Sequence, residues 1–333
     1  MPKISVLVAV YNTEDYLRKC LESLKTQTLN NIEIICVDDA SNDASPKILK
    51  EYSQKDNRFK VIYLKENHGQ AYARNIALKI VSSPLVCFLD SDDWFDKYSL
   101  EKIVQEFDNN PLTDCVLFHC IMAWNDHEEE YNGIPFTKMT GIKAFEASLT
   151  WKIHGVYAVR TSIHKLYPYD TSSHSYSDDN TTRIHYYVSK EVRQSTANYY
   201  YRQNPNSVTH KININRFDYL SANVSMKKQL ISLGVSDKIL SIYENVRWLN
   251  VIDLYMFYYK NRNKLNEEQR IYGLNEIRKT WNSIEVSRLT FKNHFKFGYI
   301  PFHPFFKLFR LEEELYFFLR TCLHILFSAF VLM

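Results

Sequence analysis

Three short clusters in the first third of this 333-residue chain could do chemistry: Tyr11-Asn12, Asp38-Asp39 and Asp90-Ser91-Asp92-Asp93. A fourth, Asp178-Asp179, lies further along. Carboxylates set side by side repel one another, and a bound divalent cation would relieve that. Hard oxygen ligands suit Mg²⁺ or Mn²⁺. Glycine usage narrows the chemistry further. Only Gly69 of the seven glycines falls within the first 130 residues. Neither a Gly-x-Gly-x-x-Gly turn nor a P-loop is therefore available to cradle phosphates on backbone amides. The first turn, Tyr11-Asn12-Thr13-Glu14-Asp15, is bulky and acidic. It suits a nucleotide diphosphate only when a metal neutralises the phosphate charge.

The elements that must position these clusters are legible nearby. Ile4 to Val10 is a continuous apolar run of buried-strand type. Asn12 and Thr13 offer an N-cap, after which Leu17, Cys20, Leu21 and Leu24 repeat at helical spacing. Ile32 to Val37 predicts a second strand, and Ser45-Pro46 opens a helix running to about Tyr52. Phe59 to Leu64 predicts a third strand, Gly69 to Ile80 a loop entering a helix, and Leu85 to Leu89 a fourth strand. Such alternation predicts an α/β fold with a mostly parallel, Rossmann-like sheet covered by helices on both faces. The first three clusters then stand beyond the carboxyl ends of strands, where open parallel sheets bind ligands.

Regularity fades over residues 110–215, where short apolar runs alternate with His- and Tyr-rich loops. Helical spacing returns from residue 216. Phe217, Leu220 and Val224 share a face before a stop at Gly234, and Ile271, Leu274, Ile277 and Trp281 mark another helix. Hydrophobic residues make up 45% of the chain and charged residues 24%, an ordinary globular balance, and the net charge of +3 leaves no nucleic-acid footprint. None of the six cysteines forms a Cys-x-x-Cys pair, so reduced core thiols and a cytoplasmic setting are expected. The seven-residue apolar run at the start lacks the layout of a signal peptide.

Taken in order, the motifs resemble family 2 of the inverting glycosyltransferases, enzymes of the GT-A fold. They are Ser5 to Asn12, then Val37-Asp38-Asp39-Ala40-Ser41, then Asn67-His68-Gly69 with Ala73-Arg74-Asn75, then Asp90-Ser91-Asp92-Asp93. The resemblance is strong over residues 1–100, looser to 215 and negligible beyond. It implies a nucleotide-sugar donor, most commonly a UDP-sugar, and a bacterial surface-polysaccharide or lipid-linked acceptor. Ala9, Val10, Tyr11 and Asn12 should contact the nucleotide, with Asp39 on its base or ribose and Asp38 supporting the turn. Arg74 should lie under the nucleotide near the acids. Asp90 and Asp92 match the Asp-x-Asp metal element, with Ser91 and Asp93 beside them.

On its own, Asp178-Asp179 is an acidic pair that favours a helix N-terminus. The resemblance implies that Asp179 is the catalytic base, in place of the family's usual Glu-Asp opening. It also makes Arg202 a diphosphate contact and His210 a metal ligand. The implied organisation is a GT-A domain over 1–215, split near 110 into donor and acceptor halves, and a helical region over 216–333. Related chemistry on a related sheet is found in sugar-1-phosphate nucleotidyltransferases, whose Gly-rich first loop is absent here. A catalytically inactive nucleotide-binding scaffold is the other alternative.

The tail is distinctive. From Val286 to Leu311 there is no acidic residue, yet Arg288, Lys292, Lys296, Lys307 and Arg310 are interleaved with seven phenylalanines. Residues 315–333 are mostly apolar but broken by Arg320 and His324. This composition suits a segment lying in a membrane interface better than a spanning helix. The expectation is peripheral contact of 286–333 with anionic lipid on the inner face of the cytoplasmic membrane.

Overall fold

The protein is described here from a computed structural model that covers residues 1–172, 178–203 and 214–331, with 323–331 as backbone only. The chain divides into two compact units, Met1–Ser207 and Val208–Met333.

The first unit begins with β1 (Ile4–Val10), α1 (Glu14–Lys25), β2 (Ile32–Asp38), α2 (Ser45–Lys55), β3 (Phe59–Tyr63), α3 (Gln70–Lys79) and β4 (Leu85–Phe88). It continues through β5 (Trp94–Phe95), α4 (Ser99–Asn109), β6 (Thr113–Ala123), β7 (Glu128–Glu130), β8 (Lys138–Thr140) and α5 (Gly141–Ser148). It closes with β9 (Tyr157–Arg160), α6 (Thr161–Leu166), α7 (Asp178–Val188) and β10 (Glu191–Arg202). One sheet runs β3-β2-β1-β4-β9-β6-β10-β5, with β7 added to β6 and β8 to β10. It is parallel from β3 to β4 and again between β6 and β10. Only β9 reverses the direction between those two blocks.

Strand alternation gives the sheet two cores. Ile4, Val6, Val8 and Val10 face one side, with Leu17, Leu21 and Leu24 of α1 and Leu100, Ile103 and Phe107 of α4. Leu7, Ile35 and Val37 face the other, with Ala73 and Ala77 of α3, Ala144 of α5 and Tyr186 of α7. A strand buried on both faces needs apolar residues throughout, which is why β1 reads as a continuous run. Helix α5 approaches the end of α7 so closely that a Cβ on Gly141 would stand 2.1 Å from the Ser189 carbonyl oxygen. That contact fixes the helix whose first turn carries Asp178 and Asp179. The six cysteines are free thiols, five of them buried.

The second unit contains α8 (Asp218–Ser232), α9 (Asp237–Asn261), α10 (Glu267–Asn282), α11 (Phe291–Phe295) and α12 (Phe306–Val331). Its core joins Phe217, Leu220, Trp248, Tyr255, Ile277, Trp281, Phe309 and Phe317. Ile271 does not belong to the buried face of α10; it is 55% exposed. Gly273 takes that side of the helix, because Phe217 packs where its side chain would be, 2.5 Å from an ideal Cβ. The tail is neither all core nor all surface. On α12, Phe309 and Phe317 are buried, whereas Leu308, Leu311, Leu315, Phe318 and Leu319 are exposed. No helix among the described residues is long and apolar enough to cross a membrane.

Candidate active site

The first two strand ends are tied to each other. Asn12 and Ala40 both take left-handed backbone angles, φ 51° and 61°, which fold the chain sharply after β1 and β2. The Asn12 amide donates to Ser41 Oγ at 3.0 Å, and Asn12 Oδ1 accepts from the Asn42 amide at 2.8 Å. Tyr11 stands 46% exposed above this turn, and Ala9 is half-buried. Val10 is fully buried in the core, so only its backbone is available to a ligand.

Asp39 organises the next loop. Its two carboxylate oxygens accept from the His68 amide at 2.9 Å and the Gly69 amide at 2.7 Å. It is Asp38, expected only to support the turn, that retains a buried oxygen with no partner. Burial pushes the Asp38 carboxyl above its usual range.

Arg74, on α3, is 1% exposed and joins the two halves of the domain. Its guanidinium hydrogen-bonds Asp90 and lies 4.0 Å from the Asp178 carboxylate. It also covers the Phe88 ring at 4.2 Å. Gln70 Nε2 gives Asp90 a second donor at 2.8 Å. Burial pushes the Asp90 carboxyl up, with Arg74 opposing and Asp178 reinforcing the shift.

The remaining acids have different surroundings. Ser91 is buried. Asp92 is half-buried, and its carboxyl is pushed up to about 6 by burial and by the charge of Asp90. Asp93 is 1% exposed and fully engaged: Tyr199 donates to Oδ2 at 2.7 Å, and the Arg202 amide donates to Oδ1 at 2.7 Å. Asp93 therefore fastens β10 to the turn before β5. The same Tyr199 hydroxyl accepts from the Asp90 amide at 3.3 Å.

Arg202 reaches the acid cluster as well. Its Nε donates to the Asp92 carbonyl at 2.7 Å, and its guanidinium lies over Trp94 at 4.8 Å and Tyr16 at 4.9 Å. Lys19 Nζ sits 3.1 Å from the Trp94 ring centroid, and Tyr200 stacks on the same ring at 5.2 Å. Trp94 is thus packed among protein groups rather than presented as a platform. Burial and the neighbouring Arg202 lower the ammonium pKa of Lys19. Two cations thus share the Trp94 ring, and one of them, Arg202, bonds the backbone of Asp92.

Asp178 and Asp179 open α7, and Arg183 lies one turn on, 3.8 Å from the Asp179 carboxylate. Burial pushes the Asp179 carboxyl up to about 7, with Arg183 opposing and Asp178 adding to it. A carboxylate near neutrality is poised for proton transfer at physiological pH. Asp170 secures this end of the helix, accepting from Asn180 Nδ2 at 2.8 Å.

The residues fit a divalent cation of the kind that needs substrate to complete its shell. Mg²⁺ and Mn²⁺ typically take one or two carboxylates plus phosphate oxygens. Asp92, its carboxyl raised by burial and then by the charge of Asp90, is the residue that would hold one, with Asp90 alongside. Among the described residues no group of three or more His, Cys, Asp or Glu side chains forms a closed metal cage. His210 lies outside the described residues.

Residues 5–164 match the family described as Glycosyl transferase family 2. This segment is a family 2 glycosyltransferase domain. The putative glycosyltransferase EpsH of Bacillus subtilis is 46% identical over 125 residues, covering 38% of this chain and 36% of that protein. The teichoic acid poly(glycerol phosphate) polymerase of Staphylococcus epidermidis is 40% identical over 110 residues, 33% of this chain and 15% of that protein. The chain therefore spans only about a third or less of either relative. The fold extends further than the sequence likeness. The crystal structure of S. aureus TarS 1-349 in complex with UDP-GlcNAc matches at TM-score 0.73 with 21% identity, covering 94% of this chain and 91% of that one. The mannosyltransferase PcManGT from Pyrobaculum calidifontis, in complex with GDP-Man and Mn²⁺, matches at TM-score 0.55 with 14% identity, covering 86% and 85%. The fold is GT-A followed by a helical region.

Two residues of the family 2 domain's cleft went unnoticed in the sequence. Lys19 sits on the polar side of an amphipathic helix, and Tyr199 belongs to a run of three tyrosines, Tyr199-Tyr200-Tyr201. Only the alternation of a strand, which buries Tyr199 and leaves Tyr200 half-buried, could have separated the former from its neighbours. Tyr199→Phe removes the bond to Asp93 and leaves a buried carboxylate short of a donor. Urea denaturation should show a loss of about 1–3 kcal/mol. A loss within about 0.5 kcal/mol, the range of ordinary surface changes, would mean that Tyr199 does not hold the acid turn.

Proposed function

We propose that this protein is an inverting, metal-assisted glycosyltransferase that moves a sugar from a UDP-sugar to a hydroxyl of a glycan or lipid-linked acceptor. The observation that carries this reading is the buried Arg74, which hydrogen-bonds Asp90 and ion-pairs with Asp178. Through it, the donor motifs and the acidic pair at the start of α7 share one cleft. Relatives named as surface-polymer enzymes, and a fold neighbour bound to UDP-GlcNAc, support the choice of donor and acceptor class.

In this reading the nucleotide lies on the turn from Ala9 to Asn12, beside the loop that Asp39 organises, with Arg74 beneath it. Lys19 and Arg202 meet the diphosphate. Asp92 and Asp90 would hold a divalent cation, which would supply positive charge to the leaving diphosphate. Asp179 takes the proton from the acceptor hydroxyl as its oxygen attacks the anomeric carbon from the face opposite the diphosphate. The C–O bond to the diphosphate breaks in the same step, which inverts the anomeric centre. General-base catalysis of this kind contributes about 10²–10⁴-fold.

Incubation with a panel of nucleotide sugars and Mn²⁺ should release nucleotide from one donor. Chelation should abolish release, and Asp92→Ala should lower it by roughly 10²-fold or more. Release from no donor would leave an inactive nucleotide-binding scaffold, and full activity in excess EDTA would remove the metal.

The base assignment has a pH signature. A base works deprotonated, so kcat should rise with pH through about 7, where the Asp179 carboxyl titrates, and level off above it. Asp179→Asn should lower kcat by about 10²-fold or more with donor affinity nearly unchanged. An active Asp179→Asn enzyme would place the base elsewhere.

The tail reading becomes more specific. We assign peripheral contact with anionic lipid to the outward face of α11 and α12, where Phe291, Phe295, Leu311 and Phe318 are 81%, 59%, 68% and 57% exposed. The acids that could repel lipid are turned inward, with Glu312 and Glu313 buried and Glu314 paired with Arg262. Exposed Phe and Leu beside Lys292, Lys296 and Lys307 suit an interfacial surface. Truncation would remove buried Phe309 and Phe317, so the test is substitution. Phe291→Ser combined with Phe295→Ser, Leu311→Ser and Phe318→Ser should abolish co-sedimentation with phosphatidylglycerol vesicles at low salt. Wild-type protein that stays in the supernatant would refute the contact.

A further inference from the structure

A cavity of mixed polar and apolar lining lies in the first unit, away from the acid cluster. It measures about 480 Å³ and is lined by His119, Glu130, Tyr131, Lys152, His154 and Gln194, among others. That size falls within the range of small-ligand sites, about 300–1,000 Å³. Its origin is a β-bulge. Strand β10 pairs Gln194 with Leu117 and then Asn198 with His119, so three residues of β10 oppose one of β6. Ser195 stabilises the distortion by donating to the Leu117 carbonyl at 2.9 Å. Bulges of this type re-aim side chains next to functional sites.

A continuous set of contacts joins the cavity to the acidic pair. Asp179 pairs with Arg183, whose guanidinium lies 5.6 Å from the Trp151 ring centroid. The Trp151 carbonyl accepts from the Tyr131 hydroxyl at 2.6 Å, and Tyr131 is part of the cavity wall. Trp151 holds a left-handed backbone, φ 56°, and its ring is 48% exposed. A bulky residue in that region costs about 1–3 kcal/mol, and such strain collects where geometry serves function. The wall itself mixes both signs. His119 Nε2 lies 3.4 Å from the Glu130 carboxylate, with Lys152 and Gln194 near them. Tyr131 packs edge-on to His154, centroids 5.1 Å apart. His154 is buried and stays uncharged, its imidazole pushed down to about 4 by burial and by His119.

We infer that this cavity receives a sugar ring of the acceptor glycan, one unit away from the hydroxyl presented to Asp179. Sugar hydroxyls both donate and accept, so a wall carrying carboxylate, amide, ammonium and imidazole groups matches them. An anionic group would meet the Glu130 carboxylate, and a purely apolar ligand would leave these polar groups unpaired. The aromatic rings supply the apolar contact that a pyranose face offers. This assignment rests on the glycosyltransferase reading and specifies the substrate of the same site.

The test is ligand-observed NMR with a panel of hexose and N-acetylhexosamine disaccharides, run beside a UDP titration. Gln194→Trp fills the cavity from a strand position whose backbone bond to Thr137 is retained, and Thr196→Trp fills it from the neighbouring wall. At least one disaccharide should bind the wild type and lose tenfold or more in affinity in both variants, with UDP affinity unchanged. Binding of no disaccharide, or binding indifferent to both substitutions, overturns the assignment while leaving the transferase reading intact. Failure of the wild type to bind UDP removes the transferase reading itself.

Discussion

The domain depends on one under-satisfied cation. Arg74 is buried, and its Nε and Nη1 have no hydrogen-bond partner. Its charge is answered by Asp90 from the end of β4 and by Asp178 from the start of α7. Removing one partner of a buried ion pair typically costs about 3–5 kcal/mol, because the other charge is left uncompensated. The buried guanidinium therefore needs both acids near it, Asp90 by hydrogen bond and the more exposed Asp178 at 4.0 Å. That constraint holds an acid of the metal element and an acid of the proposed base pair in a fixed relation, although 88 positions separate them in sequence. Arg74 is itself anchored by helix α3, whose entry loop is held by both oxygens of Asp39.

A second network serves the same purpose from the other edge. Tyr199, Asp93 and the Arg202 amide fasten β10 to the acid turn, and Asn75 exchanges two hydrogen bonds with the backbone of Tyr169. With Asp93 bonded to Tyr199 and the Arg202 amide, the neighbouring Asp92 carboxyl is left under the influence of the Arg202 charge. The three acids of Asp90-Ser91-Asp92-Asp93 thus have different partners: Asp93 fastens the turn, Asp90 pairs with Arg74, and the Asp92 side chain is left half-buried without such a bond. Burial first and the charge of Asp90 second raise the carboxyl of Asp92, and a cation binding there would relieve both.

The legibility of the sequence follows from where the contacts lie. Strands β1 to β4 are short, all but the edge strand β3 are buried on both faces, and helices separate them. Each element therefore announces itself from residues within a dozen positions, and the clusters at their ends are located with them. The later half of the domain is built differently. Strand β6 pairs with β9 and β10, about 40 and 80 residues downstream, and the β10 ladder is interrupted by a bulge. No local periodicity encodes such pairing. The same holds within the cleft. Asp93 reads like its neighbours until Tyr199, 106 residues away, is placed against it. Trp94 likewise shows nothing of its role in sequence until Lys19, Arg202 and Tyr200 are seen to cover it. The bonds that Asp39 accepts from the amides of His68 and Gly69, about 30 residues away, are another long-range contact that no local pattern encodes.

The tail shows why periodicity alone could not decide between core and membrane. An amphipathic helix normally buries its apolar stripe and exposes a polar one. On α12, Phe309 and Phe317 fill the core of the second unit, while Leu308, Leu311, Leu315, Phe318 and Leu319 cover a second, outward stripe. Both faces are apolar, so the hydrophobic pattern has no preferred direction. The acids supply the missing discrimination. Glu313 has no exposure and no hydrogen-bond partner, and burial pushes its carboxyl up to about 9. Glu313 is turned inward at the expense of its solvation, while exposed Lys307 and Arg320 adjoin the outward leucines, so the charged residues rather than the apolar ones distinguish the two faces of α12.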